Sequence, residues 1–160
     1  MTINDLRKFA AGTRLTVKSI DMVTIDTDVG AMTGLNGGEK WLTVRGFRRA
    51  YDAEDPLCWI EYYINSSFAA VGKLLEHHTG AVFALIEDRY GVTITEAHEE
   101  IAAILTPPEV AGSLKVQQGT PALKVRRTYV TADGDVAQVT VNTYPPSRFR
   151  HSITIRRARR

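Results

Sequence analysis

Few side chains in this sequence have both the type and the spacing to do chemistry. His77-His78 is the one histidine pair, but adjacent side chains point apart on a helix or strand and do not chelate one ion without a third ligand. His98 and Glu99 could supply that ligand only through the tertiary fold. Cys58 is the single cysteine, which allows neither an internal disulfide nor a CxxC metal knuckle. Within an apolar strand such a thiol behaves as a small buried hydrophobe rather than as a nucleophile. The phosphate-cradling GxxxxGK[ST] and GxGxxG, the zinc-protease HExxH and the serine-hydrolase GxSxG are all absent. The expectation is therefore no catalytic residue, no metal site and no cofactor.

Polar residues on faces that should be dry are more informative, because every second residue of a strand faces the same way. Leu42, Val44, Gly46 and Arg48 share one face, and an arginine ending an apolar row either snorkels to solvent or enters a cavity to meet an anion. Gly46 beside it removes a side chain and leaves room for a ligand or a neighbouring backbone. Leu123, Val125, Arg127 and Tyr129 form a second apolar face with an arginine inserted; a core or interface ion pair is the plainer explanation there. Val136, Gln138, Thr140, Asn142 and Tyr144 form an unusually polar face, which suits either a solvated surface or the lining of a small-molecule pocket.

The elements that position these residues read as follows. Leu6, Phe9 and Ala10 mark a helix over 3–11, with Gly12 placed for a left-handed C-terminal residue. Residues 14–26 are β-branched, with a slip in alternation that a bulge near Asp21 would explain. After the Asn36-Gly37-Gly38 turn, strands over 40–52 and 57–65 form a hairpin. A helix over 81–90 follows, with Thr79 as N-cap and Gly91 closing it. Residues 93–105 fit a helix by spacing and a strand by their β-branched start. Pro107-Pro108 opens a one-turn helix through Val110. Strands over 122–131 and 135–144 flank Ala132-Asp133-Gly134, the preferred chemistry of a tight hairpin, and residues 148–157 make a last strand. The fold class is α+β, an antiparallel sheet with helices gathered on one side.

With 160 residues, 44% hydrophobic and 24% charged, and a net charge of +2, the chain can bury one proper core. It contains no run of about 20 uncharged residues and no signal-peptide start, so neither a membrane partner nor secretion is expected, and the single cysteine agrees with a reducing cytoplasm. Arg148, Arg150, Arg156, Arg157, Arg159 and Arg160 crowd the end. Without stacking aromatics beside them they read as a solvated edge strand and a basic tail at 159–160 rather than a nucleic-acid surface.

One set of residues carries a family resemblance. Leu114-x-Val116-x-x-Gly119-x-Pro121-x-Leu123-x-x-x-Arg127-x-Tyr129, Asp133-Gly134 and Tyr144-x-x-x-Arg148-Phe149 resemble the UTRA effector domain of HutC-type regulators in the GntR superfamily. Lys40-Trp41-Leu42 and the run Phe83 to Gly91 add to the likeness, which covers nearly the whole chain. The resemblance implies a chorismate-lyase-like fold, residues 93–105 as a strand, a metabolite pocket on the sheet, and a homodimer. It also implies that residues 1–12 are a connecting helix, that 13–158 form the effector-binding and dimerisation domain, and that operator DNA is bound only by a winged helix-turn-helix not contained in these 160 residues. Effector binding then shifts the population of dimer arrangements. In family members that bind sugar phosphates two arginines lie two residues apart; here those positions are Gly46 and Arg48. A serine or threonine before the helix corresponds to Ala81, with Thr79 the nearest hydroxyl. One pocket glutamate corresponds to Ile60 and the other to Gln138, and the pocket tyrosine is kept as Tyr144. The implied effector site is Arg48, Gln138, Tyr144, Thr79, Arg127 and Asn142. Beside apolar Val44, Ile60 and Phe83, it would take a small anionic metabolite, a carboxylate with an apolar or aromatic body. The rival, a chorismate-lyase-like enzyme, lacks its general acid: Gln138 cannot exchange a proton as a glutamate does, and Glu61 alternates away from Ile60.

Overall fold

Alternating apolar residues call for a sheet with one face buried, and the computed structural model, which describes residues 1–158, shows cover on both faces. In chain order the elements are α1 (Ile3–Ala11), β1 (Thr13–Thr24), α2 (Thr27–Thr33), β2 (Lys40–Ala50), β3 (Cys58–Asn65), a 3₁₀-helical segment (Ser66–His77), α3 (Val82–Tyr90), β4 (Ile94–Leu105), α4 (Pro108–Leu114), β5 (Pro121–Thr131) and β6 (Val136–Tyr144). The strands form one antiparallel sheet in the order β1-β2-β3-β6-β5-β4. The α+β class stands, and 93–105 is a strand despite its helical spacing, because β5 pairs with it along its length.

The inner face carries most of the core. Val44, Ile60 and Ile64 pack with Val71 and Leu75 of the 3₁₀ segment and with Val82 and Ile86 of α3, all of them at most 3% exposed. Each such side chain contributes roughly 1.5–3 kcal/mol by leaving water. Leu6 and Ala10 of α1 pack beside Phe83, Tyr129 and Ile94. Helix α1 starts from a capping box in which Thr2 and Asp5 bond each other's backbone N–H. The outer face is covered differently: Trp41, Tyr63, Val139 and Val141 lie against Val29 and Met32 of α2. That short helix, capped by Asp26 and closed by left-handed Gly34, is one the sequence reading did not contain, and it sits opposite the other cover.

Several local expectations need correcting. Gly12 has φ −83° and is not left-handed. The β1 bulge lies between Val17 and Ser19 rather than near Asp21. Helix α3 has Ala81 at its N-cap with no side-chain bond, so Thr79 caps nothing. Helix α4 runs to Leu114 instead of stopping at Val110. Residues 148–157 form no strand. Arg148 instead donates to the carbonyls of Pro56 and Leu114 at 2.8 and 2.6 Å, and Phe149 stacks on Tyr144 at 4.1 Å. His151 then approaches Glu99 at 3.8 Å. That course takes the chain across the strands, where no ladder partner is available. The tail expected at 159–160 lies outside the described residues. Among the described residues no helix is long and apolar enough to cross a membrane.

Candidate functional site

The site begins with the β1 bulge. The extra residue pushes the carbonyl of Thr16 over β2, where a Cβ on Gly46 would stand 2.0 Å from that oxygen. Only glycine fits there, so no second side chain can project beside Arg48 from this strand. Two residues on, Arg48 turns inward and is 4% exposed. Its Nε and Nη2 donate to the Tyr62 hydroxyl at 3.1 and 2.9 Å. Its Nη1 donates to Thr13 Oγ1 at 2.9 Å, and Nη2 also donates to the Gly80 carbonyl at 3.0 Å. Every one of these acceptors is neutral, and no carboxylate among the described residues lies within ion-pair distance. One of the five guanidinium N–H groups, on Nη1, is left without a partner among them. Burial works against the charged form of Arg48, but Tyr62 together with Cys58 and Tyr144 offsets it and the pKa is raised; burial raises that of Tyr62. The result is a buried, permanent cation with no counter-ion among the described residues.

Arg48 opens onto a narrow cavity of about 40 Å³ on the inner face, roofed by Leu6, Phe9 and Ala10 of α1. On its β6 wall stand Gln138, Thr140 and Asn142, at most 3% exposed. Gln138 Oε1, Thr140 Oγ1 and Asn142 Oδ1 have no hydrogen-bond partner. Each buried polar atom left unsatisfied costs roughly 1–3 kcal/mol, which in a native pocket marks a place for ligand or water. Apolar walls come from Ile60 and from Phe83, whose ring stacks on Tyr129 at 4.9 Å. Ala81, Val82 and Phe83 also bring the N-terminus of α3 to the cavity. Its first N–H groups lack intrahelical partners and favour negative charge.

The sequence-predicted residues are thus sorted by the structure. Arg48, Gln138, Asn142 and Arg127 line the cavity together. Arg127 is an ion pair, its Nε bonded to the Glu99 carboxylate, and Glu99 helps keep its pKa raised against the effect of burial. Tyr144 lies behind the wall, accepting from Asn142 Nδ2 at 3.0 Å, and Val44 belongs to the main core. Thr79 is exposed and off the cavity; the loop contributes the Gly80 carbonyl instead. Tyr62, which anchors Arg48 through two bonds, was missed, although its alternation with Ile60 places it on the same face. Cys58 is fully buried with its pKa pushed up to about 11 by burial, which makes it inert. Among the described residues no Asp or Glu lines the cavity, and Glu61, the carboxylate next to Ile60, pairs with Arg45 at 3.4 Å on the opposite face.

A sheet whose cationic, polar-lined cavity is roofed by one helix has the build of a small-molecule-binding domain. The family model of the UTRA domain matches residues 10–150, and the chain belongs to that family. It is 35% identical over 113 residues to the HTH-type transcriptional regulator Rv0792c of Mycobacterium tuberculosis, a match covering 69% of this chain and 42% of that protein. Its structure resembles the effector domain of PhnF from Mycobacterium smegmatis, with TM-score 0.76, 14% identity and coverage of 91% and 88% of the two chains. A GntR-family transcriptional regulator from Enterococcus faecalis V583 gives TM-score 0.72, 18% identity and coverage of 88% and 99%. At these identities the likeness is one of fold. These relatives are regulators and their ligand-binding domains, not enzymes.

Proposed function

We propose that this domain senses a small monoanionic carboxylate for a cytoplasmic transcriptional regulator of the HutC type, a repressor acting as a homodimer. Its DNA-reading winged helix-turn-helix lies outside these 160 residues. The observation that carries this reading is Arg48, a buried guanidinium that makes four hydrogen bonds to three neutral acceptors and has no counter-ion among the described residues, facing a cavity with unpartnered polar atoms. A ligand carboxylate would supply the missing charge, meeting the free Nη1 N–H and the N-terminus of α3. Among the described residues lining the cavity Arg48 is the one cation without a carboxylate partner, and this, with the exclusion of a second by Gly46, favours a carboxylate over a dianionic sugar phosphate. Thermal-shift titration of the purified domain tests this: organic monocarboxylates are expected to raise Tm and Arg48→Ala to abolish the rise. Stabilisation by sugar phosphates alone would overturn it. Size-exclusion chromatography with light scattering checks the dimer.

A further inference from the structure

The polar ladder on β6 says what the effector carries besides its carboxylate. Gln138, Thr140 and Asn142 alternate on one strand, so their Cα atoms recur at roughly 7 Å intervals along the cavity wall. All three are at least 97% buried and each keeps an oxygen with no partner. A carbonyl oxygen only accepts, and a hydroxyl accepts or donates. Turning an amide end for end exchanges the unpaired oxygen for an unpaired NH₂ and leaves the need for a polar ligand group unchanged. An effector with a bare apolar or aromatic body would seal this row away from water without satisfying it, the arrangement by which polar sites reject analogues lacking a hydroxyl or N–H.

Charge limits the kind of donor. Arg48 already asks for one negative charge, and Glu99 is taken by Arg127. Among the described residues no carboxylate lines the cavity to receive an ammonium, so the donors are neutral. Resting on the reading of this cavity as the effector site, we propose that the ligand is a hydroxylated monocarboxylate bearing at least two hydroxyl groups, read by Gln138, Thr140 and Asn142. Phe83 and Ile60 contact only its carbon skeleton. This replaces the aromatic or apolar body that the residue types alone suggested.

Matched pairs test the idea by isothermal titration of the domain: glycerate against propionate, and a six-carbon polyhydroxy monocarboxylate against hexanoate, with benzoate as the aromatic member. The hydroxylated partner of at least one pair is expected to bind tenfold or more tightly. Thr140→Val and Gln138→Met are expected to shrink that ratio to threefold or less. Equal or tighter binding of hexanoate or benzoate overturns this inference while leaving the carboxylate reading intact; binding of phosphate esters alone, or of no acid at all, overturns both. The unliganded variants give a second readout. Replacing an atom that has no partner leaves Tm unchanged or raises it, whereas a fall of more than about 5 °C in both would make the row structural and overturn the assignment.

Discussion

Arg48 of β2 and Arg127 of β5 are both buried arginines lining the same cavity, yet their removal should do opposite things to the free protein. Consider Arg48→Met, which keeps the aliphatic stem and deletes the cation. Thr13 loses one bond but still donates to the Ala10 carbonyl at 3.1 Å, and the Gly80 carbonyl sits in a partly exposed loop that water can reach. Only the Tyr62 hydroxyl is orphaned, at a cost of roughly 1–3 kcal/mol. Against this, an uncompensated buried cation is relieved, and its effective desolvation penalty is several kcal/mol. The sum is near zero or favourable, so Tm of the unliganded domain should move by less than about 4 °C or rise, since 1 kcal/mol is worth about 2–4 °C in a domain of this size. Arg127→Met instead leaves the Glu99 carboxylate, whose side chain is 18% exposed, with only His151 at 3.8 Å in place of its arginine. Allowing for that exposure, the loss should be about 2–4 kcal/mol, or roughly 5–15 °C. Differential scanning calorimetry of the two variants, with and without a stabilising carboxylate, reads both numbers. Arg48→Met should keep its stability and lose all response to the acid. If Arg48→Met costs more than about 3 kcal/mol while the response survives, Arg48 is a structural group and the reasoning fails.

Three further outcomes follow from the same geometry. Gly46→Ala should destabilise the domain by more than about 3 kcal/mol or prevent its folding, because the Thr16 carbonyl 2.0 Å from the new Cβ is backbone and cannot swing aside; urea unfolding measures it. Burial raises the pKa of Cys58 to about 11 and of Tyr129 to about 12. The neutral forms are therefore the ones folding protects. Stability should be level up to about pH 9 and fall as pH climbs toward 11 and 12, with native Cys58 unreactive to thiol reagents at pH 8. Finally, a cavity of about 40 Å³ is far below the roughly 300 Å³ of a small-molecule site, so α1 must move for an effector to enter. Helix α1 is held by Leu6, Ala10 and the Arg7–Glu87 pair, and hydrogen exchange at residues 3–11 should speed up on binding; slower exchange would refute that.

Strand alternation exposed the inward arginines and the polar row on β6 because a period of two survives any tertiary detail. The same rule did not reveal α2, whose seven residues are too few to show a helical period, nor the 3₁₀ segment, whose register matches neither template. Residues 148–157 alternate like a strand and are not one, since propensity does not supply a ladder partner. On β4, an edge strand with partly polar faces, the apolar residues fell by accident at helical spacing, and only pairing with β5 decides. These failures share a cause: each depends on what lies opposite the segment, which the segment itself does not encode.

That cause bears most directly on the site. From its row, Arg48 could be a snorkelling strand end or an anion receptor, and Arg127 a core pair or a ligand contact. Nothing in either residue's own neighbourhood along the chain separates them. What separates them is that Glu99 faces Arg127 from the adjacent strand, whereas the residues facing Arg48 are Tyr62, Thr13 and a carbonyl. What distinguishes Arg48 is thus an absence among the described residues, a missing carboxylate beside four hydrogen bonds to neutral oxygens. A fold normally removes such an imbalance by pairing or by exposure. Retaining it at 4% exposure leaves the cavity wall electrostatically incomplete, and an anion bound as proposed would gain a desolvated partner whose ordering was settled when the chain folded.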